Sequence, residues 1–258
     1  MVFRISLYLR QQLKNEILNR NLNEEYTFIF SDEITSVLRQ KRTINGKIVQ
    51  DRAYPCIVSL DNKRSGNVCG GIMISRRLVL TAAHCIEQVD YVRVFEYATS
   101  RRQKYEVSQM IVHPSFLPDS KSYQDIGLIV LSKPVKDAHV IQLPPKNLDV
   151  PTGANASAFG WGTIEDGSVS KDLRKVDLPI TYAGSCTIED QFNAHWICTE
   201  SKQSDICDGD SGGPLLWNTY VVGIASMVLG ECRTGVPSIF TKVAAYRDWI
   251  DKYISEYQ

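Results

Sequence analysis

Three short stretches of this chain hold residue types suited to nucleophilic chemistry. The first, Asp205-Ile206-Cys207-Asp208-Gly209-Asp210-Ser211-Gly212-Gly213-Pro214, sets a serine hydroxyl among acids and glycines. A serine hydroxyl is a weak nucleophile, so it needs an exposed position, a neighbouring base and donors for the oxyanion it generates. Glycine lacks a Cβ, so backbone at 209, 212 and 213 can take unusual angles and come close to a substrate. If the N–H groups of Gly209 and Ser211 point the same way, they form a two-donor oxyanion hole. In isolation the stretch also suits a turn or a cation loop, because Asp-Gly pairs are turn signals. The second stretch, Leu80-Thr81-Ala82-Ala83-His84-Cys85, offers a histidine as base. The third, Asp125-Ile126-Gly127-Leu128-Ile129-Val130-Leu131, offers an acid to orient it. Read singly, His84 is a core histidine beside a cysteine and Asp125 an acid opening a strand. Their combination with Ser211 is what points to chemistry.

Taken in that order, the stretches resemble the TAAHC, DIAL-type and GDSGGP marks of the chymotrypsin-like (trypsin-fold) serine endopeptidases. One departure stands inside them: Gly127 replaces the usual alanine. The resemblance runs from about Thr43 to the C-terminus. It implies an acyl-enzyme mechanism with Ser211 as nucleophile, His84 as general base and later acid, and Asp125 orienting His84. Gly209 and Ser211 would supply the oxyanion hole. The implied fold is all-β, two six-stranded antiparallel barrels with the site between them and a closing C-terminal helix. Disulfides implied by the same likeness are Cys69–Cys85, Cys186–Cys198 and Cys207–Cys232. Cys56 is then left over, either a buried thiol that behaves as a small hydrophobe or an intermolecular bridge.

The likeness also assigns a substrate pocket, and there the sequence is unusual. Asp205, six residues before Ser211, falls where trypsin-like members place the acid that selects Lys or Arg. Asp208 lies near the rim and adds negative field. Ser226-Met227-Val228 replaces the usual Ser-Trp-Gly strand, and Ser238 replaces a second glycine. Val228 and Ser238 are therefore expected to obstruct a long side chain, Ile206 to add bulk, and Met227 to remove an aromatic platform. A basic P1 residue turned over slowly is the expectation, with elastase-like cleavage after small residues as runner-up. Asp205 as a plain loop acid is the competing reading.

Residues 1–42 read as a pro-segment before a peptidase domain at 43–258. The segment ends in Arg39-Gln40-Lys41-Arg42, which suits a trypsin-like processing enzyme but also suits a solvated basic linker. Thr43-Ile44-Asn45-Gly46 stands where the family has IVGG. In the family, cleavage there frees an ammonium that pairs with the acid before the nucleophile, here Asp210. Threonine in first place offers less apolar surface to anchor that end. The opening residues are too short in apolar length to make a convincing signal peptide.

The whole chain has 258 residues, with 29 acidic and 29 basic side chains. That balance gives no reason to expect nucleic acid or an anionic membrane surface as partner, and no run of about 18 apolar residues exists to cross a bilayer. Seven cysteines without a CxxC pair read as disulfides plus one leftover, hence an extracellular or luminal setting. Short β-branched and aromatic runs, such as Ile72–Ile74, Leu78–Thr81, Tyr91–Phe95 and Tyr220–Ile224, give a barrel or sandwich pattern. Only the end reads as a long helix, with Tyr246, Trp249, Ile250, Tyr253 and Ile254 on one face. His113 has no catalytic role in this reading, and His139 and His195 read as surface residues. Asn155-Ala156-Ser157 is a glycosylation sequon. No cofactor or metal is expected; after Phe95, Arg101, Arg102 and Lys104 crowd a loop where relatives place calcium-binding carboxylates. Expected partners are protein or peptide substrates, an activating protease and protein inhibitors, with the chain a monomer. The alternative function is a protease-fold binding protein that has lost efficient turnover.

Overall fold

The computed structural model describes residues 46–118, 124–164, 167–186, 194–200, 205–228 and 237–257. The chain divides into two units, Met1–Lys41 and Arg42–Gln258. The first unit, together with Arg42 and Thr43, lies outside the described residues, so the description concerns the second.

Six antiparallel strands close the first barrel: β2 (Ile57–Asn62), β3 (Gly66–Met73), β4 (Leu78–Thr81), β5 (Tyr91–Glu96), β6 (Arg101–Val112) and β7 (Gly127–Leu131). Their order around it is β2-β3-β4-β7-β6-β5. The second barrel is built from β8 (Asn155–Gly160), β9 (Arg174–Thr181), β10 (Trp196–Thr199), β11 (Pro214–Trp217), β12 (Tyr220–Val228) and β13 (Ser238–Lys242). It runs β9-β10-β13-β12-β11-β8 and closes through β8–β9 pairing, with the short strand β1 (Lys47–Ile48) added to β9. Closure leaves no free sheet edges within each barrel, so few backbone donors need other partners. The expected double barrel is thus present.

Strands β4 and β7 are buried along their whole length. One face of each fills the barrel and the other is covered by neighbouring structure. A continuous apolar cluster joins Leu80 and Leu128 to Phe159, Val221 and Ile224 of the second barrel, and to Ile250 of the C-terminal helix α1 (Arg247–Glu256). The predicted helical face is the one that packs: Ile250 is fully buried, and Trp249, Tyr253 and Ile254 lean on the same cluster. Tyr246 belongs to the 3-10 turn just before the helix. Truncating Ile250 to alanine removes packing worth about 2–5 kcal/mol, enough to loosen the helix from both barrels.

Candidate active site

His84 follows β4 directly, in a 3-10 turn over Ala83–Gln88, and Asp125 precedes β7. Because β4 and β7 pair antiparallel, with Thr81 opposite Gly127, residues 41 apart in sequence become neighbours at one barrel end. Ile86 fills the space that a Cβ on Gly127 would take, its Cδ1 being 2.3 Å from that position. This explains glycine where the family has alanine. Asp125 is buried, and its carboxylate accepts three hydrogen bonds. His84 N–H donates to Oδ1 at 3.0 Å, His84 Nδ1 to Oδ2 at 2.7 Å, and the Ser226 hydroxyl to Oδ2 at 2.6 Å. The Thr241 hydroxyl donates to the Asp125 carbonyl at 2.9 Å. An acid gripped in this way fixes the proton on Nδ1 and leaves Nε2 as the basic nitrogen. Nε2 lies 3.7 Å from Cys85 Sγ.

The Ser211 loop is pressed onto the first barrel. Gly70 N–H donates to the Ser211 carbonyl at 2.8 Å, and Gly212 N–H to Ala225 of β12 at 2.8 Å. Gly212 has φ +73°, and a Cβ there would lie 2.2 Å from Thr81 Oγ1 and 2.5 Å from the Gly70 carbonyl. These contacts bring Ser211, partly exposed, to the end of the barrel that carries His84. No hydrogen bond joins the Ser211 hydroxyl to His84 among the described residues.

Beside Ser211, Asp210 is buried in a cradle of backbone. Gly162 N–H donates to its Oδ1 at 2.8 Å and Cys207 N–H to its Oδ2 at 2.9 Å. Any Cβ on Gly160 or Gly162 would strike the carboxylate, at 2.1 and 2.5 Å. Burial pushes the Asp210 carboxyl up to about 6, partly offset by the two N–H groups, with Asp205 and Asp208 adding to the rise. Gly209 has φ +95°, and its Cβ position would lie 3.1 Å from Gly162 Cα. Gly160 and Gly162 thus join the site without being signalled by its motifs, although a Gly-x-Gly pair at the end of a strand is a sign of close backbone approach.

Two serines assigned to the pocket have further hydrogen-bond partners. Ser226 turns its hydroxyl to Asp125. Ser238 is more than an obstruction: fully buried, it donates its hydroxyl to Asp205 Oδ1, which also accepts Ile206 N–H at 2.8 Å. Asp205 is therefore desolvated and already paired. Val228 pairs with Ser238 across β12 and β13. Ile206 is buried in the second barrel's core, whereas Met227 is partly buried against Trp196, Ile239 and the Cys186–Cys198 bridge. Asp208 is exposed.

Cys69–Cys85 and Cys186–Cys198 are disulfides as expected. Cys207 is disulfide-bonded, and Cys232 lies outside the described residues. Joined to each other, Cys69 and Cys85 offer no thiolates beside His84, although the three groups cluster closely. Cys56 is free and buried, and burial pushes its thiol up to about 11. Asn155 is exposed and so is His139. His195, expected at the surface, is half-buried, its ring 5.6 Å from Tyr246, which also meets His113 at 5.2 Å.

The trypsin family model matches residues 43–250, so the chain belongs to the trypsin family of serine proteases. It is 32% identical over 229 residues to a trypsin of Sarcophaga bullata, covering 83% of this chain and 90% of that protein. Chymotrypsin-2 of Vespa crabro is 34% identical over 215 residues, or 77% and 94%. Among solved structures, human heparin binding protein superposes with a TM-score of 0.72 at 28% identity, covering 82% of this chain and 96% of that one.

Proposed function

We propose that this chain is a secreted serine endopeptidase made as a zymogen and active after cleavage between Arg42 and Thr43. Ser211 attacks the scissile carbonyl, His84 takes its proton and returns it to the leaving amine, and Asp125 stabilises the imidazolium between those steps. The N–H groups of Gly209 and Ser211 receive the oxyanion. The observation that carries the reading is the Asp125 carboxylate. It takes two hydrogen bonds from His84 itself and a third from Ser226, which supports a role in keeping that ring in one tautomer.

Activation has support beside Asp210. The Gly46 carbonyl accepts Arg174 Nη1 at 3.0 Å. Arg174 and Asp210 line the same small cavity, about 10 Å³. Three residues upstream of Gly46 span about 10 Å when extended, and a new terminus at Thr43 would have to reach the carboxylate within that length. The cavity must widen to admit it, and the ammonium then supplies the charge partner a buried carboxylate needs.

Asp205 gives the pocket a preference for Lys or Arg at P1, weakened because Ser238 already holds it. Disulfide-linked cysteines support secretion; substrates are proteins or peptides, and the chain works as a monomer that an activating protease switches on and protein inhibitors restrain. The test is labelling by a fluorophosphonate probe before and after trypsin treatment. Cut protein beginning Thr-Ile-Asn-Gly should label, and Ser211→Ala should abolish it. A folded, correctly cut chain that does not label is a protease-fold binding protein instead.

A further inference from the structure

Arg102 lies on β6 of the first barrel, is tied there to Asp51 and Ile57, and meets Trp161 just past β8 of the second. Its Nη2 and Nε donate to Asp51 Oδ1 and Oδ2 at 2.7 and 2.9 Å, and Nη1 donates to the Ile57 carbonyl at 2.9 Å. Its Cζ stands 4.5 Å from the centroid of the Trp161 ring. Only 12% of the Arg102 side chain is exposed. A fork-to-fork ion pair this well covered keeps its geometry, unlike the solvated pairs elsewhere on the surface. Lysine, a point charge without a planar face, cannot reproduce both the pairing and the stacking.

Trp161 leads straight to the oxyanion loop. The next residue, Gly162, donates its N–H to Asp210, and Thr163 donates its N–H to the Asp208 carbonyl at 2.8 Å. Asp208 and Asp210 flank Gly209, whose Cβ position is 3.1 Å from Gly162 Cα. The segment carrying the clamped indole therefore holds the oxyanion donor from both sides. We propose that Arg102 is a positioning residue for the oxyanion hole: by clamping Trp161 it holds Gly162 and Thr163 against Asp208–Asp210 and keeps the Gly209 and Ser211 N–H groups aimed at the reacting carbonyl. The proposal rests on the reading of Ser211 as nucleophile. Asp51, Arg102 and Trp161 all line an open cavity of about 450 Å³, while the rest of the Trp161 ring is buried in the apolar cluster with Phe159 and Leu173.

The test uses the full chain, cut with immobilised trypsin, and compares wild type with Arg102→Met, Arg102→Lys and Trp161→Leu. Losing an oxyanion donor costs about 10²–10³ in kcat, so misaiming one should lower kcat about tenfold in Arg102→Met, with KM within about twofold. Arg102→Lys should recover only part of that loss. The Arg102→Met/Trp161→Leu double variant should be no slower than Trp161→Leu, because the two act through one contact. Amide hydrogen exchange read on the same proteins should quicken in peptides spanning 160–163 and 207–212, and not in β4 or β7. A purely structural role for Arg102 predicts lower melting temperature with unchanged kcat and unchanged exchange at 207–212, and that outcome overturns the proposal. If the wild type itself does not label with a fluorophosphonate, the protease reading fails. Exchange then decides the positioning alone, faster at 207–212 supporting it and unchanged refuting it. Should Arg102→Met not fold, Arg102→Lys and Trp161→Phe carry the same comparison.

Discussion

Replacing Ser238 probes the pocket most directly, because two different changes there separate charge from bulk. The Ser238 hydroxyl donates to Asp205, and both groups are buried. A hydrogen bond to a charged group contributes about 1.5–3 kcal/mol, and a substrate guanidinium or ammonium must draw on the same carboxylate. Ser238→Ala deletes the donor and keeps the Cβ. The freed carboxylate should then bind a basic P1 side chain more tightly, and since about 1.4 kcal/mol is a factor of ten, kcat/KM for arginyl esters should rise about 10- to 100-fold. Alanyl esters should change little. Ser238→Gly adds room to the same electrostatic gain, and Val228→Gly adds room alone. Stability should fall in Ser238→Ala by about 1–3 kcal/mol, as a buried carboxylate loses a donor, which urea unfolding would show. Asp205→Ser should erase the arginine preference in every background. If Ser238→Ala leaves the arginine-to-alanine ratio unchanged while Val228→Gly raises it, obstruction limits the pocket and the hydroxyl is incidental. If neither variant moves the ratio, Asp205 is not the P1 acid.

Acid should weaken the fold through His113 and His195. Burial lowers both, with His195 adding to the first and Lys242 to the second; a depressed folded value means stability present above the ordinary histidine range near 6.5 and lost as pH falls below it. His113→Phe with His195→Phe should therefore lose less stability between pH 7.5 and 5 than wild type does in urea titrations. The uncut chain should show the opposite trend from Asp210, raised to about 6: its contribution is full below the unfolded value near 4 and lost as pH rises through 6. Asp210→Asn should thus remove this fall in stability between pH 4 and 8 from the uncut chain, yet prevent activation when Arg42 is cut; a normal burst of labelling in that variant would refute the switch. Millimolar calcium should not raise the melting temperature, because the Glu96 carboxylate is already engaged by the Tyr105 hydroxyl and Glu106 by Lys104.

Much of the site was legible in the chain because it is written in local signals. Gly212 must be glycine for its φ of +73° and for the approach of Thr81 and Gly70, and the spacing of His84, Asp125 and Ser211 within three motifs survives as linear pattern. The C-terminal helix was legible for the same reason, its apolar stripe recurring at three and four residues. What the chain alone left undecided is the direction of individual hydroxyls. Ser226 is assigned to the pocket by the likeness of Ser226-Met227-Val228 to a family strand, which does not say where its hydroxyl points; along a regular strand successive side chains alternate faces. The ladder of β12 with β13 shifts between Ala225 and Met227, and such an irregularity re-aims a side chain in a way that counting cannot anticipate. Ser226 thereby meets Asp125, 101 residues away, and Ser238 meets Asp205, 33 residues away. His195 and the Arg102–Trp161 clamp are of the same kind. Each depends on which surfaces barrel closure brings together, and residue order carries that information only through the folded whole.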